Sequence, residues 1–259
     1  MSQSSKERER LTQERLFHEL QASERAKRPG YLQSLLQNDH AYLDHASWIR
    51  PGLEAFGNIQ GKAFLDWGCG HGMASVCMAR MGANVYSLDL SHGYCKETYA
   101  RASANGLKGR IHLLQGDACR LPFRNESFDG IWGNAILHHL SPIEAATELK
   151  RILKPKGTIV LCDPWQGSTL VRWIRNHVPY PGKDRTKDEQ PLNEAALAPF
   201  HRLFSNVEIT FWDFFGALGR FIPLGPLTNP VRHLDRFLIK TFPVFATTSR
   251  YVMIKASKV

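Results

Sequence analysis

Seven residues, Asp66-Trp67-Gly68-Cys69-Gly70-His71-Gly72, place three glycines at alternate positions directly behind the apolar run Ala63-Phe64-Leu65. Glycine at that spacing makes poor strand and poor helix, so the bare backbone must allow the close approach of something else. A strand leading through a glycine loop into a helix presents main-chain amides at the carboxyl edge of a sheet, where ligands bind. A pyrophosphate would ask for G-x-G-x-x-G, whereas the spacing here is G-x-G-x-G, and Asp66 so close by would repel a phosphate. The chemistry that fits is recognition of a cationic ligand. Two further acids stand at comparable places, Asp89 after Ser87-Leu88 and Asp117 after Gln115-Gly116. Taken singly, each reads equally well as a helix cap or a solvated strand end, but three in succession point to one site. His138 and Asp163 are the candidates for acting on a second substrate, because histidine titrates in the useful range and both follow apolar runs. His139 reads as structural, and Asp163 reads also as a helix cap. No set of acids and histidines at ligand spacing indicates a metal, so none is expected.

The elements that must hold these residues alternate. Strand signals fall at about 62–67, 84–90, 111–116, 128–133 and 157–162, with helical stretches between them, and two more strands follow at 207–212 and 250–256. Such alternation predicts an α/β domain with a parallel sheet covered on both faces. Ser91 is placed to cap the second helix of the repeat, Ser141-Pro142-Ile143-Glu144 has the form of a capping box, and Gly82 closes the first helix. Ahead of the sheet, residues 4–28 mix charge with Leu11, Leu16, Phe17 and Leu20, which predicts a mostly solvated helix, and a second helical stretch is expected over 31–55. The predicted organisation is a helical arm or cap over 1–58 and one domain over 59–259, with a helical insertion at about 215–247. Within that insertion, 229–242 sets Val231, Leu234, Leu238 and Phe242 on one face and Arg232, His233, Arg236 and Lys240 on the other.

Asp66 to Gly72 resembles the first motif of class I S-adenosylmethionine-dependent methyltransferases. Three later stretches are similar to that family's motifs in order: Ser87 to Ser91, Gln115 to Ala118 with Leu121-Pro122-Phe123, and Phe128 to Asn134 with Leu137-His138-His139-Leu140. Leu153-Lys154-Pro155-Lys156-Gly157-Thr158 is similar to the family's entry into the fifth strand, so the resemblance covers roughly residues 60–165. It implies a Rossmann-like, doubly wound, mostly parallel seven-stranded sheet with helices on both faces and the last strand antiparallel. It also implies S-adenosyl-L-methionine as cofactor, with Asp89 and Leu90 at the ribose and Asp117 and Ala118 at adenine. Gly68, Cys69, Gly70 and Gly72 then provide backbone to the methionine moiety together with Asn134, while Asp66 orients the loop. The thiol of Cys69 reads as local packing.

The chain has 259 residues, 43% hydrophobic and 22% charged, which is ordinary globular composition. No apolar run approaches the roughly 18 residues of a membrane span, and no secretory or transit signal opens the chain, so a cytoplasmic protein is expected. Five cysteines without a C-x-x-C pair read as reduced thiols. The net charge is +9, and from Phe215 onward seven cations face the single acid Asp235. The reading favoured is in-line methyl transfer to a small-molecule or lipid-like acceptor, with the basic 229–242 helix as a peripheral membrane contact. The excess of positive charge keeps an RNA methyltransferase as an alternative, although no appended RNA-binding module is recognisable. The lack of a compelling base keeps a third, a cofactor-binding partner protein without turnover.

Overall fold

Alternating apolar runs and capped helices produce the expected parallel sheet. The computed structural model describes residues 3–166, 173, 191–214, 225–242 and 244–259. Seven strands, β1 (Ala63–Trp67), β2 (Asn84–Asp89), β3 (Ile111–Gln115), β4 (Phe128–Asn134), β5 (Leu153–Pro164), β6 (Asn206–Trp212) and β7 (Tyr251–Ser257), form one sheet in the order β3-β2-β1-β4-β5-β7-β6. β1 pairs in parallel with β2 and β4, and β7 runs antiparallel to both β5 and β6. The strand order reverses beside β1, which puts its carboxyl end at the switch point where open α/β sheets bind ligands. The fold class implied by the resemblance is the one observed.

Helices α1 (Gln3–Ala26), α2 (Tyr31–Leu35), α3 (Asp39–Leu43) and α4 (Ile49–Glu54) precede the sheet; α5 (Met73–Arg80), α6 (His92–Ala104) and α7 (Pro142–Ile152) connect its strands. α8 (Glu194–Leu203), α9 (Thr228–Thr241) and α10 (Val244–Thr248) follow. Ser91 accepts from Tyr94 N, so the cap predicted for α6 forms, and Asn193 caps α8 by accepting from Ala196 N. Ser141 makes no side-chain cap bond, so the capping box is absent and Pro142 alone marks that helix start. The helix expected over 31–55 is three short helices. Leu36 turns extended, and Asn38 stops the chain and restarts it by accepting from Ala41 N. β5 begins at Leu153, earlier than expected, because Leu153 already pairs with Phe128, and the chain runs from Leu153 to Thr158, the partner of Gly130, through a register shift rather than a loop.

The sheet divides the core in two. On one side Trp67, Phe128, Ile131 and Trp165 pack against α7 and α8, and on the other Phe64, Val85 and Trp132 pack against α5 and the α3–α4 segment. α4 sits so close that a Cβ on Gly52 would lie 2.6 Å from the Trp132 ring. Trp48 stacks on Tyr251 at 3.8 Å. The aromatic residues ahead of the sheet are therefore packing residues, although Tyr42 also reaches the cavity described below. All five cysteines are free thiols, four of them buried. Among the described residues, no helix is long and apolar enough to cross a membrane. The polar loop 182–190 and most of the insertion's first part, 215–224, lie outside the described residues.

Candidate functional site

The glycine loop adopts backbone that only glycine takes readily, with φ of 71°, 51° and 78° at Gly68, Gly70 and Gly72. The three differ in surroundings. A Cβ on Gly68 would stand 2.3 Å from Ile136 Cδ1 and one on Gly72 2.6 Å from Thr98 Cγ2, whereas at Gly70 nothing lies within 4 Å. The first glycine therefore lets the turn after β4 close on the loop and the third lets α6 do so, while the second faces open space. That space is a cavity of about 300 Å³ at the carboxyl ends of β1, β2 and β4, at the lower end of the range for small-ligand pockets.

Nine of the ten residues expected around the cofactor line it: Asp66, Gly68, Cys69, Gly70, Asp89, Leu90, Asp117, Ala118 and Asn134. Gly72 lies behind them as the left-handed residue that starts α5. Asp66 is 2% exposed and accepts from Ser75 Oγ, which also pairs with Ser87 Oγ at 2.8 Å. Burial pushes its pKa up to about 7 against the opposing Ser75 bond, and the charge of Asp89 pushes the same way. Asp89 is also raised, chiefly by burial, although its carboxylate accepts from Gly70 N at 2.8 Å and Ser91 N at 2.9 Å. Each of its oxygens keeps a second lone pair for a ligand. Asp117 binds Cys119 N at 2.8 Å through one oxygen, and Trp67 Nε1 fixes the Ala118 carbonyl at 3.0 Å. Asn134 is oriented by Trp48 Nε1 at 2.9 Å. His71 is pushed down to about 3 by burial and by the neighbouring Arg25 and Arg101, so its ring adds no positive charge. Two buried acids that resist ionisation and a neutral imidazole make a wall that a cation would stabilise.

His138 and Asp163 come together but away from this wall. His138 Nδ1 lies 2.7 Å from Asp163 Oδ1, which also accepts from the His138 amide, and both residues are buried. The carboxylate secures the short 3-10 turn Leu137–His139. The histidine on the cavity wall is His139, with Glu14 against its Nδ1 and His18 beyond. Burial alone would raise the Glu14 pKa, yet it is lowered, because His139, Arg10 and His18 favour its charge.

Leu11, Glu14, His18 and Arg25 reach the cavity from α1, a contribution missing from the sequence reading. α1 is bound to the sheet domain by its polar side: Glu19 accepts from His92 N at 2.6 Å and Gly93 N at 2.9 Å, Gln21 accepts from Tyr94 Oη at 2.9 Å, and Arg10 donates to the His139 carbonyl at 2.8 Å. Leu16 and Leu20 point outward, 59% and 62% exposed. The available signal was polar spacing, Glu14, His18, Gln21 and Arg25 on one helical face, rather than the leucines.

Residues 65–161 match the family described as a methyltransferase domain. A demethylmenaquinone methyltransferase of Clavibacter sepedonicus is 28% identical over 149 residues, 53% of this chain and 60% of that enzyme. A sterol 24-C-methyltransferase of Gibberella zeae is 29% identical over 126 residues, 48% of this chain and 30% of that protein. The chain thus aligns with less than two thirds of each relative's length. A crystal structure of geranyl diphosphate C-methyltransferase from Streptomyces coelicolor A3(2), in complex with Mg2+, geranyl diphosphate and S-adenosyl-L-homocysteine, superposes with a TM-score of 0.61 at 18% identity, covering 90% of this chain and 84% of that one. That likeness is one of fold.

Proposed function

We propose that this chain, whose residues 65–161 match a methyltransferase-domain family, is a class I enzyme that transfers a methyl group from S-adenosyl-L-methionine to a small-molecule or lipid-like acceptor. In that arrangement 1–58 is the cap and 59–259 the catalytic domain. The observation that carries the reading is the pair of buried, raised-pKa acids, Asp66 and Asp89, on one wall with an open left-handed glycine. When bound, the cofactor supplies an electrophilic methyl on a sulfonium sulfur. Asp89 would hold the ribose hydroxyls through its free lone pairs, and Asp117 and Ala118 the adenine edge. Gly68 to Gly70 and Asn134 would meet the methionine end, with Asp66 compensating its ammonium. Arg25, the Lys/Arg cation on the wall among the described residues, is held by an ion pair from its Nε to Glu97 at 3.6 Å and would meet the carboxylate with the rest of its guanidinium.

The acceptor would enter between α1 and the turn after β4, where Leu11, Ile136 and Leu140 give apolar surface and Glu14, His18 and His139 a polar end. An apolar acceptor also fits the quinone, sterol and isoprenyl names of the enzymes it resembles. α9 would deliver it from an anionic membrane surface: Leu234 and Phe237 are 48% and 62% exposed beside the exposed cation Lys240. Incubation with methyl-labelled donor and cell extract, followed by separation into lipid, aqueous and RNA fractions, tests the reading. Label in the lipid or small-molecule fraction is expected. Label confined to RNA would replace it with the nucleic-acid alternative, and tight cofactor binding without any label would leave a non-catalytic partner protein.

A further inference from the structure

Glu14, His18 and His139 bring three metal-ligand atoms, one from each residue, within 4.8 Å of one another on the cavity wall. We propose that they form a site for a divalent transition-metal ion of the Zn2+ class, which ties α1 to the turn after β4 and keeps open positions toward the cavity. Its use in holding an acceptor oxygen rests on the methyl-transfer reading; its existence does not.

Glu14 and His18 are four residues apart on α1 and leave the same helix face. His139 comes from the turn at Leu137–His139, whose position Arg10 fixes through the His139 carbonyl. The tautomer of His18 is set by its surroundings. Its Nδ1 lies 3.2 Å from Gln21 Oε1, which also accepts from Tyr94 Oη. An amide oxygen only accepts, so Nδ1 carries the proton and Nε2 keeps the lone pair. Metal-binding histidines are held in this way by an outer-shell acceptor on the ring nitrogen that does not bind the metal. His139 Nδ1 is shut off from solvent and faces the Glu14 carboxylate directly. A cation shared between nitrogen and carboxylate satisfies both groups.

The donor set selects the ion. Two imidazoles with one carboxylate suit zinc, cobalt or iron, whereas magnesium and calcium take oxygen ligands. Three protein ligands leave at least one position for water or for an acceptor hydroxyl, whose oxygen a Lewis acid would polarise. The sequence conceals the site because the third ligand is far along the chain. Glu14-x-x-x-His18 is visible on α1, but only the fold brings His139 to it.

The tag-free chain, stripped with a chelator, is titrated calorimetrically with Zn2+, and in parallel with Co2+ followed by visible absorption. One equivalent of each is expected, with a Co2+ spectrum of low coordination number. His18→Ala and Glu14→Gln should each weaken Zn2+ binding at least about tenfold, with circular dichroism confirming that the variants fold. Gln21→Leu, which leaves all three ligands in place, should also weaken it and stands in if either ligand variant fails to fold. No saturable binding to the parent chain, or unchanged affinity in the variants, overturns the proposal. S-adenosylhomocysteine titrated into the same stripped protein separates the two readings: failure there with Zn2+ binding intact sinks the donor site and leaves the metal site standing.

Discussion

Asp66 has a measurable consequence independent of catalysis. Its pKa is raised from 3.8 to about 7, chiefly by burial, so between those values the folded chain holds a proton that the unfolded chain has released. Its contribution to stability therefore falls as pH rises across that window and is level above it. Asp66→Asn should remove the decline and raise stability at pH 8 by about 4 kcal/mol; denaturant titrations at pH 5 and pH 8 read this, and a variant whose profile parallels the parent's contradicts it. The glycines separate in the same manner. Gly68→Ala meets Ile136 and a left-handed φ together, so it should lose fold stability. At Gly70 only the φ cost of about 1–2 kcal/mol applies, and the new methyl intrudes on the cavity. Gly70→Ala should therefore lose ligand affinity out of proportion to melting temperature, a ratio obtained from calorimetry and thermal unfolding of both variants. These positions were legible in the sequence because residue type and spacing carry them. Burial of the acids was not legible, nor was the exchange of roles between His138 and His139, since a one-residue step in a tight turn decides which ring faces the cavity.

At the scale of elements, α1 determines how the cavity is closed. Glu19 holds the first amides of α6 from another helix, a cap that local sequence around α6 does not contain. Glu19→Ala should destabilise the chain by about 1 kcal/mol, through the lost amide partners and the lost charge at a helix N-terminus, visible in urea unfolding followed by circular dichroism. An unchanged midpoint would mean that α1 is not docked in solution as it is here. The strands were readable because parallel strands buried on both faces leave near-continuous apolar runs. The face of α1 was not readable. Its mixture of charge and leucines predicts a mostly solvated helix, whereas Glu14, His18, Glu19, Gln21 and Arg25 dock it on α6 and the turn after β4. The divided helix over 31–55 was missed for a related reason, because Asn38 acts as a cap only when the chain before it has turned extended.

Over the whole molecule, charge and apolar exposure coincide on the C-terminal side. Net charge is +9, and the α9 surface joins Arg232, His233, Arg236 and Lys240 to exposed Leu234, Phe237 and Phe242. Binding to anionic vesicles should exceed binding to neutral ones, weaken as salt is raised, and fall in Phe237→Ser; equal sedimentation with both vesicle types removes the membrane from the account. The central claim is that aspartates at adjacent strand ends, with the left-handed loop beside them, hold a cationic nucleoside. Calorimetric titration of S-adenosylmethionine and S-adenosylhomocysteine into the parent and Asp89→Ala tests it most directly. The account predicts saturable binding of both ligands to the parent, weakened in the variant by roughly 1.5–3 kcal/mol, as expected for hydrogen bonds to a charged group. Affinity unchanged by the substitution, or no binding to the parent, would contradict it.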